Sequence, residues 1–389
     1  MSGARPIETS SGAAQNMADV EEATVVGGPA SSAPRRMAAP ARFQAPAFTP
    51  RPFLRNGHLQ TIAGNLLSRA DSLPPPVPVL IEVSPASGSQ IASSVLCECH
   101  WHPRAGRATR PTVVLVHGLE GSSESQYVVG NANKLWCAGA NVIRMNMRNC
   151  GDTERLSPTL YHSGLSCDVG AVLRHFIARE RLESVALVGY SMGGNLVLKL
   201  AGELGANAPT QLHSVVAVSP AIDLGPSADA LHRPANRLYE RRFLRRMVRR
   251  FRLKASLFPR AFDAQRIVGV RSLRQYDERI TALYSGFASA DDYYFRASAA
   301  RSLDRIAVPT LVLHALDDPF VPITPQTRAA LDENPFITLL QSAHGGHCAF
   351  LARPDRTTED DGYWAESTLL RFLLAHSESK HGPCCTTRP

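Results

Sequence analysis

The chain has 389 residues, of which 44% are hydrophobic and 20% are charged, with a formal net charge of +8. These values are typical of a globular protein with a sizeable core, in one large domain or two. Eight cysteines without regular framework spacing argue against a disulfide scaffold, and the N-terminus lacks a signal-peptide or transit-peptide pattern. No apolar run approaches the about 18 residues of a membrane span. We therefore expect a reduced, cytoplasmic protein.

Two tails flank the predicted domain. Residues 1–47 are rich in Ala, Pro, Ser and Gly with few aromatics, which predicts a disordered tail. Residues 379–389 are predicted to form a second flexible tail, so that the domain spans 48–378. Near its start, two strand candidates at 79–83 and 94–100 are expected to pair in antiparallel fashion.

From residue 112 onward, short apolar runs alternate with helical patterns. Such runs are typical of parallel strands that are buried on both faces. The predicted strands span 112–116, 141–146, 184–188, 214–218, 310–314 and 336–341. The predicted helices span about 124–138, 165–180, 192–204, 325–333 and 361–376. This alternation predicts an α/β fold with a mostly parallel, doubly wound sheet.

Residues 225–300 interrupt the alternation. The segment is rich in Arg, shows helical patterns and contains no convincing strand. Insertions of this size at the carboxyl edge of a parallel sheet usually cover a site there. We therefore predict a helical cap.

The segment from Gly189 to Gly193 reads G-x-S-x-G, between an apolar strand and a helical pattern. Strand, sharp turn and helix is the context of a nucleophile elbow, in which Ser191 is held in a strained conformation. The N–H group of Met192, at the start of the helix, is placed to bind an oxyanion. Ser191 is therefore the candidate nucleophile.

A serine hydroxyl needs a base, usually His, and the His needs a carboxylate to orient it. Candidates follow the last two predicted strands, in the chain order Ser, Asp, His that this chemistry shows on a doubly wound sheet. Asp318 lies in a D-x-x-V-P acid loop and is preferred to Asp317, which is an alternative that caps the turn. His347 follows two glycines that permit a close bend, and it is preferred to His344.

The loop 117–121 follows the strand 112–116 and supplies a second candidate for the oxyanion hole. Its glycines allow the backbone to turn, so that the N–H of Leu119 faces the same oxyanion as that of Met192. His117 is interpreted as a structural residue that hydrogen-bonds the loop. Glu120 is interpreted as a solvent-exposed carboxylate.

Cys97, Cys99, His100 and His102 have a spacing that suggests a metal site at first sight. On a strand, however, side chains alternate between faces, so the two cysteines point one way and the two histidines the other. One metal ion cannot easily use all four side chains. We predict no metal site and no cofactor.

In combination, these motifs resemble the YheT-like esterases of the α/β-hydrolase superfamily, a family that includes eukaryotic lipid hydrolases. The resemblance covers about residues 50–378 and rests on segments 56–62, 117–122, 146–151, 189–195, 277–318 and 344–347. By family position, Ser191, Asp318 and His347 would be nucleophile, acid and base. The resemblance implies hydrolysis of carboxylic esters, either short-chain esters or acylglycerols. For segment 56–62 we expect a packing role beneath the site.

These observations predict a serine carboxylic ester hydrolase, a short-chain carboxylesterase or a monoacylglycerol-lipase-like enzyme, that works through an acyl-enzyme. A serine at the elbow argues against dehalogenase or epoxide hydrolase chemistry, which uses Asp there. An acyltransferase and a non-catalytic binding protein of the same fold stay open as alternatives. No motif supports nucleic-acid binding, so the expected partner is a small-molecule or lipid ester.

The positive charge of the chain is concentrated in residues 233–254, which hold ten Arg or Lys and one Glu, a net of +9. On a helix over 241–252, the apolar side chains share one arc of about 140°. These apolar residues are Phe243, Leu244, Met247, Val248 and Phe251. The other side holds Arg241, Arg242, Arg245, Arg246, Arg249, Arg250 and Arg252. Two interpretations stay open: a solvated basic face, or a face that contacts an anionic membrane or acidic partner.

Overall fold

The computed structural model describes residues 40–69, 72–88, 91–354 and 361–377. Most of the predicted N-terminal tail and all of the predicted C-terminal tail lie outside these residues. No helix of the described part of the chain is long and apolar enough to cross a membrane.

Eight strands form one sheet in the order β1-β2-β4-β3-β5-β6-β7-β8. The strands are β1 (Val77–Ser84), β2 (Ser93–His100), β3 (Thr112–Val116), β4 (Asn141–Met145), β5 (Val185–Tyr190), β6 (Leu212–Val218), β7 (Thr310–Ala315) and β8 (Ile337–Ser342). β1 pairs antiparallel with β2, and β2 with β4, whereas all the other neighbours are parallel. The predicted α/β fold, with its antiparallel start, is confirmed.

Helices cover both faces of this sheet. They are α1 (Gly57–Leu66), α2 (Gln126–Cys137), α3 (Ser166–Glu180), α4 (Met192–Leu204), α5 (Leu224–His232), α6 (Arg237–Leu257), α7 (Leu273–Tyr276), α8 (Ala290–Ala297), α9 (Pro325–Glu333) and α10 (Trp364–Ser377). α3, α4 and α9 bury apolar side chains in one core layer, and α2 and α10 do so in the other. Every residue of β3, β4, β5, β6 and β7 is buried, as the continuous apolar runs predicted.

The strand order places the functional loops at one point of the sheet. The chain moves from β3 to β4 on one side, and then returns to β5 on the other side of β3. The carboxyl ends of β3 and β5 therefore meet where the strand order reverses. In open α/β sheets, ligands bind in the crevice outside this switch point.

The segment between β6 and β7 contains helices and no strand. α5, α6 and α8, together with α7 and a short π-helical turn at Asp277–Ala282, bury their own apolar cluster. Phe320 and Val321, which follow β7, belong to the same cluster. The helices thus pack over the carboxyl edge of the sheet, which is the place that the sequence predicted for a cap.

Packing on the domain begins before residue 48, where the sequence placed the end of the disordered tail. The ring of Phe43 meets Phe372 edge-on, with 5.3 Å between centroids. Phe48 contacts Phe350 and Trp364 in the same way. Aromatic burial therefore holds part of the Ala- and Pro-rich segment against α10.

Candidate active site

The turn after β5 holds Ser191 in a backbone conformation that L-residues rarely adopt, with φ 53° and ψ −116°. Two glycines make the turn feasible. A Cβ on Gly189 would lie 2.2 Å from the carbonyl oxygen of Gly193, and a Cβ on Gly193 would lie 2.4 Å from that of His117. Strain of this kind is typical of functional sites. Here it presents Ser191 to a cavity beneath the cap.

Two hydrogen bonds in series link Ser191 to His347, which follows β8, and His347 to Asp318, which follows β7. The Nε2 atom of His347 lies 2.9 Å from Ser191 Oγ, and its Nδ1 atom lies 2.7 Å from Asp318 Oδ2. The other oxygen of Asp318 accepts hydrogen bonds from the N–H groups of Phe320 and Val321, at 3.1 and 2.9 Å. The carboxylate is therefore fixed on both sides and holds the imidazole with Nε2 towards the serine.

The electrostatic surroundings favour a proton on His347. Burial by itself lowers the pKa of the imidazole, but the Asp318 carboxylate raises it, and the net pKa lies well above its ordinary value of 6.5. An opposite charge at hydrogen-bonding distance stabilises the imidazolium. That is the property required of a base that takes the serine proton.

The alternative pair, Asp317 and His344, lies beside this chain of hydrogen bonds and does not reach Ser191. Asp317 Oδ1 accepts a hydrogen bond from the N–H of Gly346 at 2.8 Å, and its other oxygen lies 3.5 Å from His344 Nδ1. Asp317 therefore supports the loop that carries His347.

The loop after β3 packs directly on the elbow. A Cβ on Gly118 would lie 3.1 Å from the Cβ of Ser191. Within the described residues, neither Leu119 nor Met192 has a hydrogen-bond acceptor for its N–H group, and both residues line the cavity next to Ser191. Two free amide donors beside a nucleophile are the arrangement that an oxyanion hole needs.

His117 fastens this loop from below. Burial lowers its pKa to about 4, so that the imidazole is neutral. One ring nitrogen pairs with the carbonyl of Gly118 at 2.8 Å, and the other accepts from the N–H of Met147 at 3.1 Å. The structural role expected from the sequence agrees with these contacts.

Segment 56–62 supports the His347 loop, a specific role that sequence reasoning missed. Asn56 caps α1, and the Thr61 hydroxyl donates to the carbonyl of Gly57 while it accepts from the N–H of His347, both at 2.8 Å or less. Gln60 accepts from the N–H of Leu351 at 2.8 Å and donates to its carbonyl at 3.0 Å. α1 therefore positions the backbone at the imidazole.

Glu120 is not a solvent-exposed carboxylate, and that expectation is wrong. Its side chain is only 2% exposed and forms an ion pair with Arg250 of α6, with both oxygens 3.2 Å from the guanidinium. The Tyr161 hydroxyl donates to the same carboxylate at 2.5 Å. Arg246 reaches the Glu120 carbonyl at 3.3 Å. The residue after Leu119 is thus held by the cap.

The helical-wheel assignment of α6 needs one correction. Phe251 is fully buried and Leu244 and Met247 nearly so, as predicted. Arg250, however, points inward, where its second carboxylate partner is Glu154 at 3.0 Å. A buried Glu120 requires a cation, and the long Arg250 side chain reaches it from the edge of the polar arc. Arg250 therefore does not belong to a solvated face.

Two spaces meet at Ser191. One is a cavity of about 110 Å³ beneath the cap, several times the space that one water needs. The other is a groove between α1 and α6, whose lining includes His347, Ile62, Leu66, Arg242 and Arg246. His347 lines the groove but is absent from the cavity lining.

Within the described residues, no group of three or more His, Cys, Asp or Glu side chains is arranged to hold a metal ion. Cys97 and Cys99 are fully buried in the core, and burial raises the pKa of both thiols. Neutral thiols in an apolar layer are poor metal ligands.

Comparison with known families agrees with this geometry. The sequence model of the alpha/beta hydrolase fold matches residues 111–354, which is more than half of the chain. The chain belongs to the α/β-hydrolase fold family. The "Putative esterase YheT" of Escherichia coli is 29% identical over 86% of this chain and 94% of that protein. The resemblance inferred from the motifs is thereby confirmed.

Two further relatives carry enzyme names. Phospholipase ABHD3 of Mus musculus is 30% identical over 63% of this chain, and the monoacylglycerol lipase of Saccharomyces cerevisiae is 26% identical over 69%. The chain spans about three-fifths of the length of each, 59% and 60%. The crystal structure of 2,6-dihydroxy-pseudo-oxynicotine hydrolase superposes with a TM-score of 0.51 at 18% identity, covering 83% of this chain and 72% of that one. The protein is thus an α/β hydrolase of the esterase and lipase type.

Proposed function

We propose that the protein hydrolyses carboxylic esters through an acyl-enzyme on Ser191. His347 takes the serine proton as Ser191 attacks the ester carbonyl, and Asp318 stabilises the imidazolium. The N–H groups of Leu119 and Met192 bind the oxyanion. Water, activated by His347, then releases the acid. The observation that carries this proposal is the hydrogen-bonded sequence Asp318–His347–Ser191 beside two free amides.

The two spaces at Ser191 suggest how an ester is oriented. The leaving alcohol must take a proton from Nε2 of His347, so it belongs in the groove that His347 lines. The acyl chain then occupies the cavity beneath the cap, whose lining includes Leu119, Leu224, Met247, Phe251 and Phe320. The groove also holds Arg242 and Arg246, which favours alcohol parts that carry an anionic group.

An ester panel tests the proposal. It contains aryl esters of increasing acyl length, a monoacylglycerol and a lysophospholipid, each assayed with wild type. We expect hydrolysis with a preference for acyl chains that fit the cavity. Product analysis with a competing alcohol separates the alternatives: acid release indicates a hydrolase, and transfer to the alcohol an acyltransferase. Binding of esters without turnover would contradict the proposal and favour a non-catalytic binding protein.

We further propose that the outer face of α6 contacts anionic membranes. Arg241, Arg245, Arg249 and Arg252 line a shallow surface groove, and among the described residues none of the four has a carboxylate partner within salt-bridge distance. Leu238 and Leu253 are exposed on the same helix, at 78% and 41%. A basic face with exposed apolar side chains is typical of helices that lie on a membrane surface.

Vesicle co-sedimentation tests the membrane proposal. Each Arg near an anionic surface contributes about 1 kcal/mol, so changing these four arginines to Gln should weaken binding at least about tenfold. Binding should rise with anionic lipid content and fall with salt. The matched control changes four other exposed arginines, Arg174, Arg179, Arg181 and Arg371, to Gln. Equal partitioning with neutral and anionic vesicles would contradict the membrane proposal, and so would an equal loss of binding in the control variant. Either result would indicate that this face of α6 is only solvated.

A further inference from the structure

The cavity beneath the cap is not uniformly apolar. Its lining includes polar residues from α7, the π-helical turn and α8, which form one wall. These residues are Tyr276, Asp277, Thr281, Tyr293 and Tyr294. An aliphatic acyl chain can contact the tyrosine rings of this wall, but it forms no hydrogen bond with the hydroxyl and carboxylate groups there. The polar wall therefore needs an explanation that the ester chemistry at Ser191 does not supply.

Tyr276 is the residue of this wall whose hydroxyl lacks a hydrogen-bond partner among the described residues. The residue is only 6% exposed. The two neighbouring tyrosines of the wall are both satisfied: Tyr293 donates to the Ser163 hydroxyl at 3.0 Å and Tyr294 to Asp277 at 2.8 Å. Because Tyr276 lines the cavity, a group that enters the cavity can hydrogen-bond this hydroxyl.

Asp277, the next residue, has acceptor capacity to spare. Its two oxygens each accept one hydrogen bond, from Thr281 at 2.7 Å and from Tyr294 at 2.8 Å. A carboxylate offers about four acceptor positions, so about two stay free. In the described part of the chain, no Lys or Arg lies within salt-bridge distance of Asp277, since Arg274 pairs with Asp229 and Asp291. The lining of the cavity thus includes both a carboxylate with acceptor capacity and a hydroxyl without a partner among the described residues.

We propose that this wall is a binding site for a hydroxyl group on the acyl chain of the substrate. A hydroxyl accepts a hydrogen bond from Tyr276 and donates one to Asp277, so that one group satisfies both residues. A carboxylate on the chain is repelled by Asp277, and a plain alkyl chain leaves Tyr276 unpaired. The inference rests on the proposed function, because the acyl part occupies the cavity only if the alcohol leaves towards His347.

The test compares aryl esters of one acyl length that differ only in the acyl chain: unsubstituted, hydroxylated at successive carbons, or methoxylated at the same carbons. With wild type, kcat/KM for the best hydroxyl position should exceed that of the unsubstituted ester by about tenfold or more, since a site built for a hydroxyl discriminates strongly against its absence. The methoxy esters, which cannot donate to Asp277, should lose this advantage.

Three variants locate the effect. In Tyr276→Phe and in Asp277→Asn, the ratio of hydroxylated to unsubstituted kcat/KM should fall towards one. The matched control is Tyr284→Phe, a cap tyrosine that does not line the cavity. It should keep the wild-type ratio. A thermal melt of each variant checks that the cap remains folded.

The outcomes separate this inference from the function on which it rests. Turnover without any preference for a hydroxyl position overturns the hydroxyl site and leaves the esterase proposal intact. A preference that persists unchanged in both Tyr276→Phe and Asp277→Asn also overturns it, because the discrimination then lies elsewhere. Absence of turnover for every ester overturns both.

Discussion

A fluorophosphonate should add a single covalent label to Ser191, and Ser191→Ala should abolish both the label and ester turnover. We expect a loss of about 10⁴-fold or more in kcat, because removal of a triad nucleophile leaves only binding and the oxyanion hole. The strained φ of 53° and the hydrogen bond to His347 single out this hydroxyl for activation. Intact-mass measurement and peptide mapping check the label, and initial rates check the turnover.

A serine in the same cavity provides the control. Ser227 lines it too, but its hydroxyl donates to the carbonyl of Asp223 at 2.8 Å, and no histidine of the described residues hydrogen-bonds it. Ser227→Ala should keep labelling and turnover within a few-fold of wild type. A label on another residue, or full turnover by Ser191→Ala, would show that the acyl-enzyme proposal is wrong.

The parts of the site that sequence reasoning could predict are those defined by local pattern. Sequence could predict the nucleophile elbow, the ends of the strands and the chain order of Ser191, Asp318 and His347. Each of these depends on a few neighbouring residues and on the regular alternation of strands and helices. The structure brings these three side chains together as the strand assignment required. The choice between adjacent candidates, such as Asp317 and Asp318, depended on a loop motif and not on geometry.

The missed contacts are long-range. Thr61 binds the N–H of His347 across 286 residues of sequence, and Glu120 binds Arg250 across 130. The periodicity of apolar residues gives the direction in which a side chain leaves its own helix. It does not identify the buried charged residue that the side chain contacts on another element. For Glu120, the signal that could have been used was its place directly after Leu119, in a loop that the cap was predicted to cover.

Tyr276 shows the same limit in the cap. The apolar pattern of α6 predicted its buried side, and that part was right for Leu244, Met247 and Phe251. Because a tyrosine has a large apolar ring, the sequence pattern predicts a tyrosine in a helix to be a core residue. Only the three-dimensional arrangement shows that the Tyr276 hydroxyl has no partner in the described part of the chain.

The two aspartate–histidine pairs lead to a ranking of four variants. His347→Ala should lose on the order of 10³-fold or more in kcat, as removal of a triad base does. His344→Ala should lose much less, because His344 contacts Asp317 and not Ser191. Likewise Asp318→Asn should cost far more than Asp317→Asn, which weakens the contacts of Asp317 with the N–H of Gly346 and with His344. A reversed order in either pair would show that the assignment of that pair is wrong.

The pH profile distinguishes a triad carboxylate from a merely structural one. In the proposed mechanism the base is neutral His347, so kcat/KM should rise as the pH increases through the pKa of this imidazole. Asp318 raises that pKa above its ordinary value of 6.5, so the wild-type rise should lie above that pH. In Asp318→Asn the stabilising charge is gone while burial remains, and the residual activity should rise at lower pH. Asp317→Asn should leave the midpoint unchanged. Equal midpoints in wild type and Asp318→Asn would mean that the Asp318 charge does not act on the catalytic base.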